Sequence, residues 1–362
     1  MKKRARELGL PFPGTPGPFN AITDVPGVEI GVSTLITGEG PLVVGQGPVR
    51  TGVTAILPRG RAGAHIPCAA GSYALNGNGE MTGLAWIEEA GELQTPITIT
   101  NTHSCGVARD ATIEWMVTRK IGTGQDWGLP VAAETYDGDL NDINGFHVKS
   151  QHVLEALDSA KGGSVPLGSQ GGGTGMICYD FKGGNGSASR IITIGTRRYT
   201  LGVFVQANFG LREELVVLGV PVGRALPGNE LRGKPMGSII VVVATDAPLM
   251  PHQLKRIARR VPMGIARTGS IGHNSSGDIF LAFSTANAEA HGGTGPFRTA
   301  DYVAGAAIDT LFLATVEATE EAVIEAIVVN ETMEGRDRNT SIALPIDKVM
   351  ALMRNAGRLS NG

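Results

Sequence analysis

Gly237 and Ser238 form a junction where Lys-Pro-Met-Gly (234–237) runs into the apolar stretch Ser-Ile-Ile-Val-Val-Val-Ala-Thr (238–245). The pair joins the residue with the widest backbone freedom to a hydroxyl on the first position of a predicted strand. Glycine can hold its carbonyl in a conformation closed to other residues and let a nucleophile come close. Attack of the Ser238 hydroxyl on the Gly237 carbonyl would turn the amide into an ester, and water would then release Ser238 with a free α-amine. Such an amine has an ordinary pKa of about 7.7 to 8.0, so near neutrality a neutral fraction can serve as general base to its own hydroxyl. One residue then supplies nucleophile and base. The same dipeptide also reads as a plain loop-to-strand transition.

Other polar residues sit at the ends of apolar runs. Leu-Gly-Val-Phe-Val-Gln-Ala-Asn-Phe-Gly (201–210) is strand-like and brings Asn208, whose amide could donate to an oxyanion. His-Asn-Ser-Ser-Gly-Asp (273–278) leads into Ile-Phe-Leu-Ala-Phe-Ser-Thr (279–285), which puts Ser276 and Asp278 at the mouth of a second buried strand. In Ala-Glu-Thr-Tyr-Asp (133–137), Glu134 and Tyr136 are two apart, hence on one face if the segment is extended. Taken singly, each has a bland reading: Asn208 as a turn residue, Glu134 as a surface charge, 276–278 as a loop.

Taken together, Lys-Pro-Met-Gly-Ser-Ile-Ile (234–240), Gln-Ala-Asn-Phe-Gly (206–210), Glu-Thr-Tyr-Asp (134–137), Gly-Gly-Gly-Thr-Gly-Met (171–176) and Asn-Ser-Ser-Gly-Asp-Ile (274–279) resemble the self-processing L-aminopeptidase/D-esterases (DmpA) and beta-aminopeptidases. The resemblance runs from Ile-Thr-Asp-Val-Pro-Gly-Val (22–28) to the last helix. It implies a four-layered αββα sandwich within the α/β class, and a single hydrolase domain over 1–362 that cuts itself at Gly237-Ser238 into chains 1–237 and 238–362. The resulting aminopeptidase would use an acyl-enzyme on Ser238 and no cofactor or metal. By the same resemblance, Asn208 would stabilise the oxyanion, Ser276 would hydrogen-bond within the catalytic group, and Asp278 would orient Ser276 and offset the amine's charge. Glu134 would bind the substrate's ammonium, with Tyr136 beside it as a donor. Beta-peptide members commonly carry glutamate where this chain has Asp278. Family members assemble as homo-oligomers, often tetramers of the two-chain unit. Two alternatives remain: an acyl transferase like the ornithine acetyltransferases, which use a threonine nucleophile, and an uncut small-molecule-binding protein of the same fold.

Composition points the same way. The 362 residues carry a net charge of −3, which argues against general nucleic-acid binding and leaves a small molecule as the expected partner; the resemblance implies that it is a small peptide or amide with a free amino group. Glycine, at 52 residues, is about twice its usual share. Cys68, Cys105 and Cys178 are odd in number with no CxxC, so buried free thiols are expected. The basic start Met-Lys-Lys-Arg lacks the apolar run of a signal peptide, and no stretch is apolar enough to span a bilayer, which makes a cytoplasmic location the default.

Other chemistry is weaker. The glycine-rich 171–175 lacks the Gly-Lys-Ser/Thr ending of a phosphate cradle and reads as a loop near the substrate pocket. His147 and His152 have the wrong offset for a metal pair, and His273 or His291 with Ser276 lacks the G-x-S-x-G elbow of a triad.

The elements that must hold these residues are mixed. Residues 28–32 and 97–100 read as strands, and 190–196 with 199–206 as a hairpin. Val107, Ala111 and Trp115 mark a helix closed by Gly122 after Lys120. Leu254, Ile257, Ala258, Val261 and Ile265 form the apolar face of one helix, with Lys255, Arg256, Arg259 and Arg260 on a solvated face. Tyr302–Val316 reads as a buried helix, and a second helix is expected from Thr319, with Glu320 and Glu321 at its positive end.

Overall fold

The computed structural model describes residues 2–121 and 127–359. Strands β1 (Glu29–Thr37), β2 (Val49–Leu57), β3 (Cys68–Gly77), β4 (Glu92–Leu93), β5 (Ile97–Asn101) and β6 (Val131–Thr135) are followed by a short hairpin, β7 (Ile177–Cys178) and β8 (Phe181–Lys182). The long hairpin β9 (Gly184–Ile194) and β10 (Arg197–Asn208) comes next, then β11 (Gly237–Thr245) and β12 (Ser276–Ser284). One sheet has the order β1-β2-β5-β6 and the other β4-β3-β12-β11-β10-β9. Among the helices, α1 (Leu84–Ala90), α2 (Cys105–Thr118) and α3 (Ser150–Asp158) precede α4 (Pro251–Ala258), α5 (Val261–Arg267), α6 (Ala288–Gly292), α7 (Asp309–Val328) and α8 (Ile346–Asn355).

Alternation along the strands builds the layers, because successive side chains point to opposite faces. On β11, Ile240, Val242 and Ala244 meet Phe204 of β10, Leu281 and Phe283 of β12, and Ile56, Ile97 and Ile99 of the other sheet. Ile239, Val241 and Val243 face the other way and pack with Leu254, Ile257, Leu311 and Ala322 from the helices. On the far side, Val53, Ala55 and Leu57 of β2 bury against Ala108, Ala111 and Trp115 of α2 and Val153 and Leu157 of α3. The result is the four-layered αββα sandwich.

Several local expectations hold. The predicted strands 28–32 and 97–100 fall in β1 and β5, and the hairpin forms in antiparallel register from Arg197↔Ile194 to Ala207↔Gly184. All three cysteines are buried and free. Helix α2 carries Ala111 and Trp115 inward; the expected stop at Gly122 lies outside the described residues. Among the described residues no helix is long and apolar enough to cross a membrane.

Two helix assignments need correction. The single helix expected over 254–265 is two, because Pro262 occupies the first turn of α5 and disfavours continuation through the residue before it. Its cationic face is exposed at Arg259 and half-buried at Lys255, Arg256 and Arg260: Arg260 lies 3.9 Å and Arg256 5.1 Å from the centre of the Phe312 ring, and Arg259 lies 5.5 Å from that of Tyr73. Conversely, the helix expected to begin near Thr319 does not exist as a separate element. α7 starts at Asp309, leaving Tyr302 outside it and exposed, and runs unbroken through Thr319, Glu320 and Glu321. Glu321 is a buried counter-ion rather than a first-turn residue: Arg6 Nε donates to Oε1 at 2.7 Å and Arg190 Nη2 to Oε2 at 2.8 Å. Arg267 Nη1 meets Glu320 at 3.2 Å.

Candidate functional site

Ser238 is the second residue of β11, and its Cα pairs with Asn208 in antiparallel register and with Gly277 in parallel register. Its parity with Ile240 and Val242 turns its side chain toward the layer between the sheets. The residue is only 4% exposed, and its hydroxyl has no hydrogen-bond partner among the described residues. A buried hydroxyl without a partner forfeits a stabilising contact, the kind of local cost found where a reactive group is kept available. Gly237, just before it, has φ +149°, and a Cβ there would stand 2.7 Å from Phe209 Cα and closer still to the Asn208 carbonyl oxygen. Only glycine fits.

Across the pair, Asn208 lies on the same face as Ser238 and its amide is held in one orientation. Oδ1 accepts from the Ile177 N–H at 2.9 Å and from Arg232 Nη2 at 2.9 Å, and Nδ2 donates to the Tyr136 carbonyl at 2.7 Å. One N–H of Nδ2 remains for another acceptor. On the other flank, Ser276 pairs with Gly237, and its Oγ donates to Asp278 Oδ1 at 2.5 Å. Asn76 Nδ2 supports the second oxygen, Oδ2, at 3.0 Å. Burial pushes the Asp278 carboxyl upward, opposed by the bonds from Ser276 and Asn76 and by the nearby His273. The His273 imidazole is engaged by Glu214, with Nε2 2.7 Å from Oε1, and the Ser276 hydroxyl by Asp278, so the two residues meet only through the Ser276 N–H and the His273 carbonyl, at 2.9 Å.

Glu134, at the end of β6, is 3% exposed. Its Oε1 accepts the Glu80 N–H at 2.9 Å and its Oε2 accepts the Thr102 hydroxyl. Burial raises its pKa, against the lowering effect of those two bonds. Gly79 separates this carboxylate from Ser238's neighbour: a Cβ on Gly79 would be 3.1 Å from Glu134 Oε1 and 3.3 Å from Gly277 Cα. Tyr136 lies one residue past the end of β6, and its ring folds over Gly138. Partial burial and the nearby Asp139 push its phenol above the usual range. The phenol and the Glu134 carboxylate therefore have different neighbours, because the chain leaves strand geometry between them. The glycine-rich 171–173 forms a single 3-10 turn, with Gly172 packed against Gln206 of β10.

Sequence reasoning did not find Asn76, Thr102, Gly79 or Arg232. Each acts through a contact with a residue at least 24 positions away, and none carries a motif of its own.

Two sheets face to face, clad in helices, with a serine at the second position of a central strand, an oriented amide across from it and a hydroxyl–carboxylate pair on the adjoining strand, match the architecture of an N-terminal-nucleophile serine hydrolase. The model of peptidase family S58 matches residues 20–341. A beta-peptidyl aminopeptidase BapA of Sphingosinicella microcystinivorans is 49% identical over 99% of this chain and 93% of its own length. Among solved structures, the L-aminopeptidase D-Ala-esterase/amidase of Ochrobactrum anthropi, a prototype of the serine aminopeptidases, superposes with a TM-score of 0.93 at 48% identity, covering 99% of this chain and 100% of that one. A Burkholderia sp. beta-aminopeptidase gives 0.90 at 46% identity, with 98% and 99% covered. The chain belongs to peptidase family S58 and is a serine aminopeptidase.

Proposed function

We propose that the chain cuts itself between Gly237 and Ser238, and that the resulting two-chain enzyme removes N-terminal residues from short peptides and amides through an acyl-enzyme on Ser238. The observation that carries this reading is the junction itself: a residue that must be glycine, followed by a buried hydroxyl with no partner among the described residues, opposite an asparagine amide with one N–H to spare. In the mature enzyme the Ser238 α-amine takes the hydroxyl's proton, and Oγ attacks the substrate carbonyl. The free N–H of Asn208 donates to the oxyanion, a contact whose removal costs roughly 2.7 to 4 kcal/mol in other hydrolases. The amine then protonates the leaving nitrogen, and water attacks the ester by the same route in reverse. Ser276, held by Asp278 next to the Gly237 position, is the neighbour best placed to hydrogen-bond the new amine, and an ionised Asp278 offsets that amine's positive charge.

Glu134 is proposed to read the substrate's ammonium, which explains an aminopeptidase rather than an endopeptidase. The names of the relatives favour beta-peptides, or L-amino-acid and D-alanyl derivatives, as the substrate class.

Intact mass under denaturing conditions tests the cut. By proportion, 125 of 362 residues in 37.6 kDa gives a fragment of about 13 kDa beginning at Ser238 beside one of about 25 kDa, the free amine being what this chemistry requires. Ser238→Ala should remain one folded, inactive chain. Cutting in that variant would remove Ser238 from the mechanism.

A further inference from the structure

The segment 226–236 that leads to Gly237 has neither helix nor strand, yet it is tied down along its length. Arg212 Nη1 donates to the carbonyls of Leu226 and Gly228 at 3.2 and 3.1 Å. The Arg232 N–H donates to Asp180 Oδ1 at 2.9 Å, and Ser275 Oγ donates to the Pro235 carbonyl at 3.0 Å. Gly233, Lys234 and Pro235 are exposed, but the Arg232 side chain between them and the protein is 2% exposed.

That side chain turns inward onto the junction. Nε donates to Asp139 Oδ2 at 2.7 Å, which fixes the plane of the guanidinium. Nη2 donates to Asn208 Oδ1 at 2.9 Å. Nη1 faces three carbonyl oxygens, those of Ile177 and Asn208 at 3.3 Å and of Met236 at 3.4 Å. One planar fork thus joins the residue before Gly237, both ends of Asn208, and the β7 strand that also holds Asn208. Only a guanidinium has enough donors in fixed directions to do this; an ammonium is a point charge on a flexible stem.

We propose that Arg232 is a positioning residue for self-cleavage, holding the Met236 carbonyl and the Asn208 amide in a common frame so that the Gly237 carbonyl is presented to Ser238 Oγ with the free Asn208 N–H beside it. The inference rests on the self-cleaving reading above. In the step it serves, the bond from Ser238 Oγ to Gly237 C forms, the Gly237–Ser238 C–N bond breaks, and the hydroxyl's proton ends on the departing nitrogen. Water then splits the ester into the Gly237 carboxylate and the Ser238 hydroxyl. Arg232 gains and loses no atom. It belongs to the chain that ends at Gly237, and its pairing with Asp139 keeps it beside Asn208 after the cut.

The test follows the uncut fraction by intact mass after a short pulse of synthesis, for the wild type, Arg232→Met and Arg232→Lys. The expected result is cutting slowed on the order of 100-fold in Arg232→Met, the scale of a misplacement of about 1 Å in a reacting pair. Added guanidinium ion should restore much of the rate in Arg232→Met and none in Ser238→Ala. Arg232→Lys keeps a charge beside Asp139 and serves if the methionine variant does not fold; it should also cut slowly. A merely structural role would not respond to guanidinium at concentrations too low to alter the melting temperature of the Ser238→Ala chain. Cutting at the wild-type rate in Arg232→Lys or Arg232→Met, or slow cutting of folded Arg232→Met that guanidinium does not rescue, overturns the clamp alone. A wild-type chain that stays whole overturns self-cleavage and the clamp with it.

Discussion

Gly237→Ala isolates the geometric demand at the junction. A Cβ built on Gly237 stands 2.7 Å from Phe209 Cα, where ordinary contact begins at 3.4 Å, so one of the two backbones must move by at least 0.7 Å (3.4 − 2.7). The Asn208 carbonyl oxygen is nearer still, and in a reacting pair a displacement of about 1 Å costs roughly 100-fold in rate. The φ of +149° adds strain for any side chain, of order 1 to 3 kcal/mol. Cutting in Gly237→Ala is therefore expected to slow by two orders of magnitude or more, the displacement alone supplying roughly 100-fold. Gly233→Ala is the control within the same segment: its φ is +57°, the milder left-handed region, and a Cβ there meets nothing within 4 Å, so it places an alanine at a positive-φ glycine without the collision. The assay is the time course of the 13 kDa and 25 kDa fragments (sizes by proportion from the 37.6 kDa chain). If Gly237→Ala is cut as fast as Gly233→Ala, the close approach to Asn208 and Phe209 does not govern the reaction, and the argument from the glycine fails.

Two further predictions address recognition and pH. Glu134→Gln should lower kcat/KM for peptides with a free amine by roughly 30-fold, corresponding to about 2 kcal/mol for a charged hydrogen bond, and leave N-blocked esters nearly unchanged; equal losses on both substrate types would show that Glu134 does not read the ammonium. Asp137 is fully buried, and burial pushes its carboxyl from 3.8 to about 7, against hydrogen bonds from Thr51, Asn141 and Asn101. The unfolded chain releases this proton near pH 4 and the folded chain only near 7, so between them the folded state binds more protons and stability falls as pH rises, by at most about 1.4 kcal/mol per pH unit. Asp137→Asn, measured by urea unfolding in the Ser238→Ala background at pH 4.5 and 7, should flatten that slope; an unchanged slope would mean that Asp137 is ionised in the folded protein.

What could be read in the sequence was whatever depends on near neighbours. The strand from Ser238, the hairpin around Gly195 and the apolar faces of α4 and α7 follow from alternation and periodicity. The break expected near Thr319 failed because capping signals are local, whereas the partners of Glu320 and Glu321 come from Arg6, Arg190 and Arg267; the distant arginines turn what looks like a first turn into the interior of a helix. The same limit applies to the site. Ser238, Asn208, Ser276 and Asp278 stand at strand ends and could be picked out by type, and the register brings them together. Nothing in the string links Arg232 to Asn208, or Gly79 to Glu134, because those contacts exist only once the two sheets and their loops have closed on one another.

The order β4-β3-β12-β11-β10-β9 has a consequence for the molecule's life history. β11 and β12 lie after Gly237, while the strands on either side of them, β10 and β3, lie before it. Severing the chain at the junction would leave two polypeptides interleaved like the pages of two books, each of the inner strands bonded to a strand of the other chain. Neither piece could leave without dismantling the central sheet, so dilution should not part them. Nor is it expected that fragments made apart would find this weave as readily as the intact chain does. The information that directs assembly would be used once and then erased: the enzyme would outlast its own folding instructions, protected by the slowness of coming apart rather than by any ability to form again.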